Sequence, residues 1–134
     1  MSEKIFELEN VEFAYLGKIL GLNKVSLAIN KGENVILLGA NGSGKSTLLH
    51  LLAGLIIPSK GKISAFGRAL DNHVFNDNTF RSFFRSKVAI LFQNSDVQLF
   101  SPTVEEELYF GPQQLGLPQE KTKKISLNYV PYLV

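Results

Sequence analysis

A glycine-rich segment at residues 39–47 constrains the fold more than any other part of the chain. It reads Gly-Ala-Asn-Gly-Ser-Gly-Lys-Ser-Thr and matches the pattern G-x-x-x-x-G-K-[ST] at every fixed position. The apolar run Val35 to Leu38 precedes it and is typical of a buried parallel strand. An apolar helical face from Ser46 to Ile57 follows and ends before Pro58. The order of strand, glycine loop and helix therefore predicts an α/β fold.

The residue types in this loop suit a phosphate group. Phosphate carries dense negative charge, and only a loop without bulky side chains lets several backbone N–H groups converge on it. Gly42 and Gly44 permit that wrapping, and the positive end of the following helix points to the same place. We expect Lys45 to neutralise the outer phosphates, Ser46 to ligate Mg²⁺ and Thr47 to contact an inner phosphate. The alternative is a plain glycine turn, which has no use for lysine and serine at these positions.

The predicted ligand is ATP or a close nucleotide with Mg²⁺. Neither histidine predicts a further metal site, because His50 falls within the apolar helix and His73 lies in a polar loop with no ligand partner nearby. The predicted binding residues of the loop are Gly39, Asn41, Gly42, Ser43, Gly44, Lys45, Ser46 and Thr47.

Composition excludes several other classes of protein. The chain has 134 residues, of which 45% are hydrophobic and 19% charged, so it has the composition of one ordinary globular domain and not of a disordered chain. A net charge of +2 is too weak to indicate nucleic acid or anionic lipid as a partner. Zero cysteines exclude disulfides, iron–sulfur clusters and thiolate zinc sites. No apolar run approaches the roughly 20 residues that cross a bilayer, so we expect a soluble chain.

The remaining pattern predicts further strands and helices around the loop. A second continuous apolar run, Val88 to Phe92, is typical of a strand inside a covered sheet. A helix is predicted from Ser101 or Thr103, where acidic residues suit the first turn, to about Gly111-Pro112. The other predicted elements are two short strands in Ile5 to Tyr15 with a break at Glu9-Asn10, strands at Val25 to Ile29 and Lys62 to Phe66, and a short helix around Phe80 to Phe84.

The extended motif carries a resemblance to a known family. Residues 38–49, followed by Leu52-Ala53-Gly54-Leu55, resemble the first nucleotide motif of ATP-binding-cassette (ABC) ATPases. The resemblance covers nearly the whole chain and implies an α/β fold, namely a partial P-loop NTPase core with an N-terminal antiparallel β subdomain of the ABC ATPase type. It implies one domain over residues 1–134, which corresponds to the N-terminal part of an ABC nucleotide-binding domain.

Two more residues match the family outside the loop. Phe13-Ala14-Tyr15 is similar to the upstream aromatic segment, which implies that Tyr15 stacks on the adenine ring, as ring faces do at about 1–3 kcal/mol per base. The alternative is a core tyrosine at the end of an edge strand. Gln93 resembles the family's Q-loop glutamine, which implies a catalytic role in which its amide oxygen reaches Mg²⁺ and the attacking water. Without the upstream loop, a glutamine after a strand would read as a surface residue.

The stretch from Gln93 to Pro112 narrows the resemblance to energy-coupling-factor ATPases, including the cobalt-importer type, which feed metal ions and vitamins into prokaryotic cells. Ser95 departs from this group, which often has proline there. The resemblance implies a second ABC ATPase subunit and a transmembrane transport subunit as partners. It also implies a place on the cytoplasmic face of the membrane, and no nucleic acid is expected.

Three later family motifs do not occur in the sequence: the Leu-Ser-Gly-Gly-Gln signature, an apolar strand ending in Asp-Glu, and the switch histidine. We therefore expect nucleotide binding with negligible hydrolysis by this chain alone, since phosphoryl transfer depends on positioned water and neutralised charge. Marginal stability or self-association is also expected. Two alternatives stay open: a soluble ABC ATPase that acts on DNA or ribosomes, and a fragment that interacts with partners independently of nucleotide.

Overall fold

The computed structural model describes residues 3–129, which form two compact units, one ending at Arg81 and the other beginning at Ser82. The first unit is built on a four-stranded antiparallel sheet in the order β2-β1-β3-β4. Its strands are β1 (Lys4–Tyr15), β2 (Ile19–Asn30), β3 (Lys60–Ala65) and β4 (Arg68–Ala69). The predicted antiparallel strands are therefore present, although β1 and β2 are longer than the sequence pattern indicated.

β1 is one strand rather than the two predicted pieces. The predicted break coincides with an irregularity of register between Leu8 and Val11, at which Asn10 takes a left-handed φ of +49°. Pairing with β2 resumes beyond it. The polar pair Glu9-Asn10 therefore marks a bulge, which bends a strand without ending it.

Helix α1 (Lys45–Leu52) follows the glycine loop and contacts β2. Its Leu48 and Leu51 are buried together with Leu8, Val11 and Ile63 of the sheet, so these side chains form the core of the first unit. The helix is shorter than the predicted span from Ser46 to Ile57, because Gly54 adopts a φ of +67° and ends the helical path.

The rest of the first unit leads into helix α2 (Asn78–Lys87) through a 3₁₀ turn at Val74–Asn76. Asp77 accepts hydrogen bonds from the N–H groups of Thr79 and Phe80, at 2.9 and 3.2 Å, and thereby caps this helix. The Arg68 guanidinium, 2.7 Å from the Asp77 carboxylate, and these N–H groups lower the pKa of Asp77.

The second unit contains a 3₁₀ turn at Ser95–Gln98 and two helices that pack together, α3 (Val104–Gln114) and α4 (Gln119–Tyr129). Of the two predicted N-caps, Ser101 and Thr103, it is Thr103 that caps α3, since its hydroxyl accepts from the Glu106 N–H at 3.2 Å. The prediction that this helix stops near Gly111-Pro112 is wrong. The helix runs through Pro112 to Gln114, although Pro112 has no N–H with which to continue the i→i−4 hydrogen bonds.

The two apolar runs predicted as buried strands do not pair in residues 3–129. Val35 to Leu38 forms no strand, and Ile36 and Leu38 are 80% and 89% exposed. Val88 to Phe92 likewise forms no strand. The Gln98 side-chain amide accepts from the Phe92 N–H and donates to the Ile90 carbonyl, both at 3.1 Å. A strand requires neighbours on its edges, and an apolar run cannot supply them by itself.

Within residues 3–129, no helix combines the length and apolar character needed to cross a membrane.

Candidate phosphate-binding site

The glycine loop folds back on itself before α1 begins. The Ser43 N–H donates to the Ala40 carbonyl at 3.2 Å, which closes a tight turn. Gly42 and Gly44 have φ values of +80° and +90°, a region that side-chain-bearing residues rarely adopt. Both glycines that the sequence assigned to wrapping the loop therefore take the backbone conformation that glycine permits.

Gly44 is required for a second reason, the close approach of the loop to β2. A Cβ atom at Gly44 would lie 2.4 Å from the Gly21 carbonyl oxygen and 2.9 Å from a methyl group of Leu22. A Cβ at Gly39 would meet the Ser43 hydroxyl at 2.6 Å. The start of α1 is thus anchored to the sheet by backbone contact, and its position depends on the absence of a side chain.

The Lys45 ammonium group is held by the loop itself. Its Nζ donates to the carbonyl oxygens of Gly39 and Ala40 at 2.8 and 2.7 Å, and it lies 3.4 Å from the Ser43 hydroxyl. A lysine ammonium has three donors and no acceptor. The positive charge is therefore concentrated at the loop, where phosphate oxygens could exchange with the carbonyl groups as acceptors.

The loop also offers backbone donors to an anion. In the part of the chain that the structure describes, no acceptor meets the N–H groups of Gly42, Gly44, Lys45 and Ser46. The first N–H groups of any helix lack intrahelical partners, and here they coincide with a glycine turn and a lysine. The residues present therefore fit the phosphate groups that the sequence predicts for this site. Ser46, the predicted Mg²⁺ ligand, is an exposed residue of the first turn of α1.

The predicted base-stacking residue Tyr15 lies next to the phosphate loop. Its hydroxyl is 2.9 Å from the hydroxyl of Thr47, the predicted contact of an inner phosphate. Its ring packs edge-on against Phe13 with the centroids 4.9 Å apart, and 39% of the residue is exposed. Tyr15 is thus neither a core residue, as the alternative reading held, nor a free surface side chain. Its contact with adenine stays a prediction.

Gln93 belongs to the second unit. It is exposed and directly follows the apolar run Val88 to Phe92, which forms no strand. Its predicted roles toward Mg²⁺ and water stay predictions.

The sequence reading missed Gly21. This glycine of β2 lies against both the predicted base-stacking residue and the predicted phosphate contact. A Cβ there would meet Tyr15 Cε2 at 3.1 Å and Thr47 Cγ2 at 3.2 Å. An isolated glycine within a strand signals close approach of another group, but the sequence pattern predicted a strand only from Val25, so Gly21 was not recognised as lying in one.

Known proteins match most of this chain. Residues 22–129 match the family described as ABC transporter. A putative ABC transporter ATP-binding protein of Methanosarcina acetivorans is 52% identical over 122 residues, which are 89% of this chain and 44% of that protein. The nickel import ATP-binding protein NikO of Rhodobacter capsulatus is 51% identical over 88% of this chain and 46% of its own length. The energy-coupling factor transporter ATP-binding protein EcfA2 of Methanospirillum hungatei is 37% identical over 94% of this chain and 31% of its own length.

Solved structures agree in fold. The structure of cbiO1 from Clostridium perfringens, part of the ABC transporter complex cbiONQ, matches with a TM-score of 0.72 and 30% identity over 91% of this chain and 47% of that one. The ATP-binding cassette MJ0796, in a dimeric post-hydrolysis state bound to ADP and Pi, matches with a TM-score of 0.76 and 27% identity over 92% of this chain and 55% of that one. The predicted fold class is thereby confirmed. The chain spans about half the length of the curated relatives it matches.

Proposed function

Since the chain belongs to the ABC transporter family, we propose that it binds Mg-ATP through residues 39–47 and supplies the ATP-binding part of an importer of the energy-coupling-factor type. The observation that carries this proposal is the loop itself. It brings one ammonium group, unpaired backbone N–H groups and the first turn of a helix to a single place. These are the donors that a triphosphate needs, and Mg²⁺, which the Ser46 hydroxyl would hold, would neutralise negative charge on the phosphates.

Each side chain of the site has a proposed part. Lys45 exchanges its carbonyl partners for the outer phosphate oxygens, and Ser46 offers its hydroxyl to Mg²⁺. Thr47 donates to an inner phosphate. The half-exposed ring of Tyr15 stacks on the base, where any base presents a π face. The Gln93 amide oxygen ligates Mg²⁺ and orients the attacking water.

The importer subgroup is supported by the names of related proteins. One relative is a nickel import ATP-binding protein and another an energy-coupling factor ATP-binding protein, and a structural neighbour is part of cbiONQ. The proposed cargo is accordingly a metal ion or a vitamin. The Gln93 to Pro112 stretch, which resembles the same subgroup, supports the proposal independently of these names.

The proposed partners are a second ABC ATPase subunit and a transmembrane transport subunit, at the cytoplasmic face of a prokaryotic membrane. A dimeric structural neighbour and a neighbour from a transporter complex support this assignment. ATP hydrolysis is proposed for the assembled transporter. These residues alone lack the signature sequence and the Asp-Glu strand end, so hydrolysis by this chain alone is expected to be negligible.

Calorimetric titration with Mg-ATP tests the proposal. Lys45→Ala should weaken binding by about 10- to 150-fold, because hydrogen bonds to charged groups contribute about 1.5–3 kcal/mol. Lys123→Ala is the matched control, since it removes the same charge from an exposed position on α4. Equal affinities of the native chain and the Lys45 variant would refute the proposed function of the loop.

A further inference from the structure

The contact between Tyr15 and Thr47 joins two residues whose proposed roles are separate. One stacks on the base and the other contacts a phosphate, yet their hydroxyl oxygens are 2.9 Å apart. Thr47 is only 5% exposed, so this oxygen has little access to water. The hydrogen bond is therefore part of the folded site and not a contact between two surface side chains.

The chemistry of the two hydroxyls sets the direction of the bond. Each hydroxyl has one proton to donate and lone pairs that accept, and the geometry allows either to be the donor. A phenol hydroxyl is more acidic than an aliphatic hydroxyl and is therefore the better donor. When Tyr15 donates to Thr47, the Thr47 proton is left free to turn toward the loop. Such chains of hydrogen bonds strengthen one another, so the Thr47 hydroxyl becomes a better donor to an anion.

Gly21 makes this contact possible. A Cβ at this position would lie 3.1 Å from Tyr15 Cε2, 3.2 Å from Thr47 Cγ2 and 3.4 Å from Phe13 Cδ1. The first two distances are shorter than comfortable carbon–carbon contacts. A side chain at this position would therefore require Tyr15 and Thr47 to shift by a few tenths of an ångström, enough to disturb the hydrogen bond between their hydroxyls.

We propose that Tyr15 is a positioning residue for phosphate binding that acts through Thr47, and that Gly21 is the residue that allows the two hydroxyls to meet. This inference rests on the proposed function, since it requires a phosphate ligand in the loop. It goes beyond base stacking because it gives Tyr15 a role toward a ligand that has no base.

Inorganic tripolyphosphate with Mg²⁺ is therefore the probe that separates the two roles of Tyr15, stacking on a base and positioning Thr47. Tyr15→Phe keeps the ring and removes only the hydroxyl. It should raise the Kd for tripolyphosphate about 3- to 10-fold, the effect of one neutral hydrogen bond. In a Thr47→Val background the same change should have almost no further effect, because the residue through which Tyr15 acts is already gone. Gly21→Ala should mimic Tyr15→Phe.

Tyr109→Phe is the matched control, because it removes the same atom from a tyrosine that bonds Glu105 on α3. It should leave tripolyphosphate binding unchanged. Far-UV circular dichroism identifies any variant that fails to fold. If Gly21→Ala does so, the cycle of Tyr15→Phe and Thr47→Val still tests the inference.

Three results would overturn the inference. Unchanged tripolyphosphate binding by Tyr15→Phe would restrict Tyr15 to the base. Additive free-energy effects of the Tyr15 and Thr47 changes would show that the two residues act separately. Equal binding of tripolyphosphate by the native chain and Lys45→Ala, or no binding by either, would refute the proposed function together with the inference.

Discussion

The two glycines of the loop allow a test that separates backbone strain from steric contact. Gly42 and Gly44 have similar φ values of +80° and +90°, so alanine at either position pays a similar conformational cost of about 1–2 kcal/mol. Their surroundings differ. A Cβ at Gly42 has nothing within 4 Å, whereas at Gly44 it would lie 2.4 Å from the Gly21 carbonyl oxygen.

The steric contact at Gly44 should add about 1–3 kcal/mol, as overpacking does in well-packed cores. Gly42→Ala should therefore lower the free energy of unfolding by about 1–2 kcal/mol and Gly44→Ala by about 2–5 kcal/mol. In a unit of this size, each kcal/mol lowers the thermal midpoint by about 4–8 °C. The contact is with backbone oxygen, which cannot rotate away as a flexible side chain would.

Thermal and urea unfolding, followed by circular dichroism, measure both variants against the native chain. The reasoning requires Gly44→Ala to be clearly the less stable of the two. Equal destabilisation would show that the loop relaxes away from β2 at little cost. The anchoring of α1 to the sheet through Gly44 would then be wrong.

Two further predictions concern exposed apolar residues, Leu16 in the connection between β1 and β2 and Ile36 in the run that follows β2. Leu16, Gly17 and Lys18 connect β1 to β2, and the Lys18 N–H donates to the Tyr15 carbonyl. Leu16 takes a left-handed φ of +51°, which asparagine adopts at less cost than leucine. Leu16→Asn should therefore raise the free energy of unfolding by about 0.5–1.5 kcal/mol, and an unchanged thermal midpoint would contradict this. The chain should self-associate through the exposed run Val35 to Leu38, and Ile36→Lys should weaken association at least about 10-fold. Sedimentation velocity measures self-association, and Leu127→Lys on α4 is the control because it places the same charge on another exposed leucine. If both variants weaken self-association equally, Val35 to Leu38 is not the associating surface.

Local chemistry accounts for the features that the sequence predicted correctly. The glycine loop, the helix after it and the Thr103 cap depend on neighbouring residues, and their signals lie within a few positions of one another. The family resemblance could be read from the same segment because its chemistry depends on spacing along the chain. Features that depend on distant partners were predicted poorly. Val35 to Leu38 and Val88 to Phe92 have the composition of core strands, but composition does not supply the neighbours that a sheet requires.

By itself, the sequence determined that a lysine, a row of backbone donors and a helix start would gather at residues 39–47, because those groups are consecutive in the chain. Only the tertiary structure decided how β1 and β2 complete that site. Tyr15 and Thr47 are 32 residues apart in sequence, and their hydroxyls meet because the hairpin and the loop are packed around a glycine at position 21. A hydrogen bond between such distant residues depends on the register of two strands and the path of a loop, and no short-range pattern encodes either.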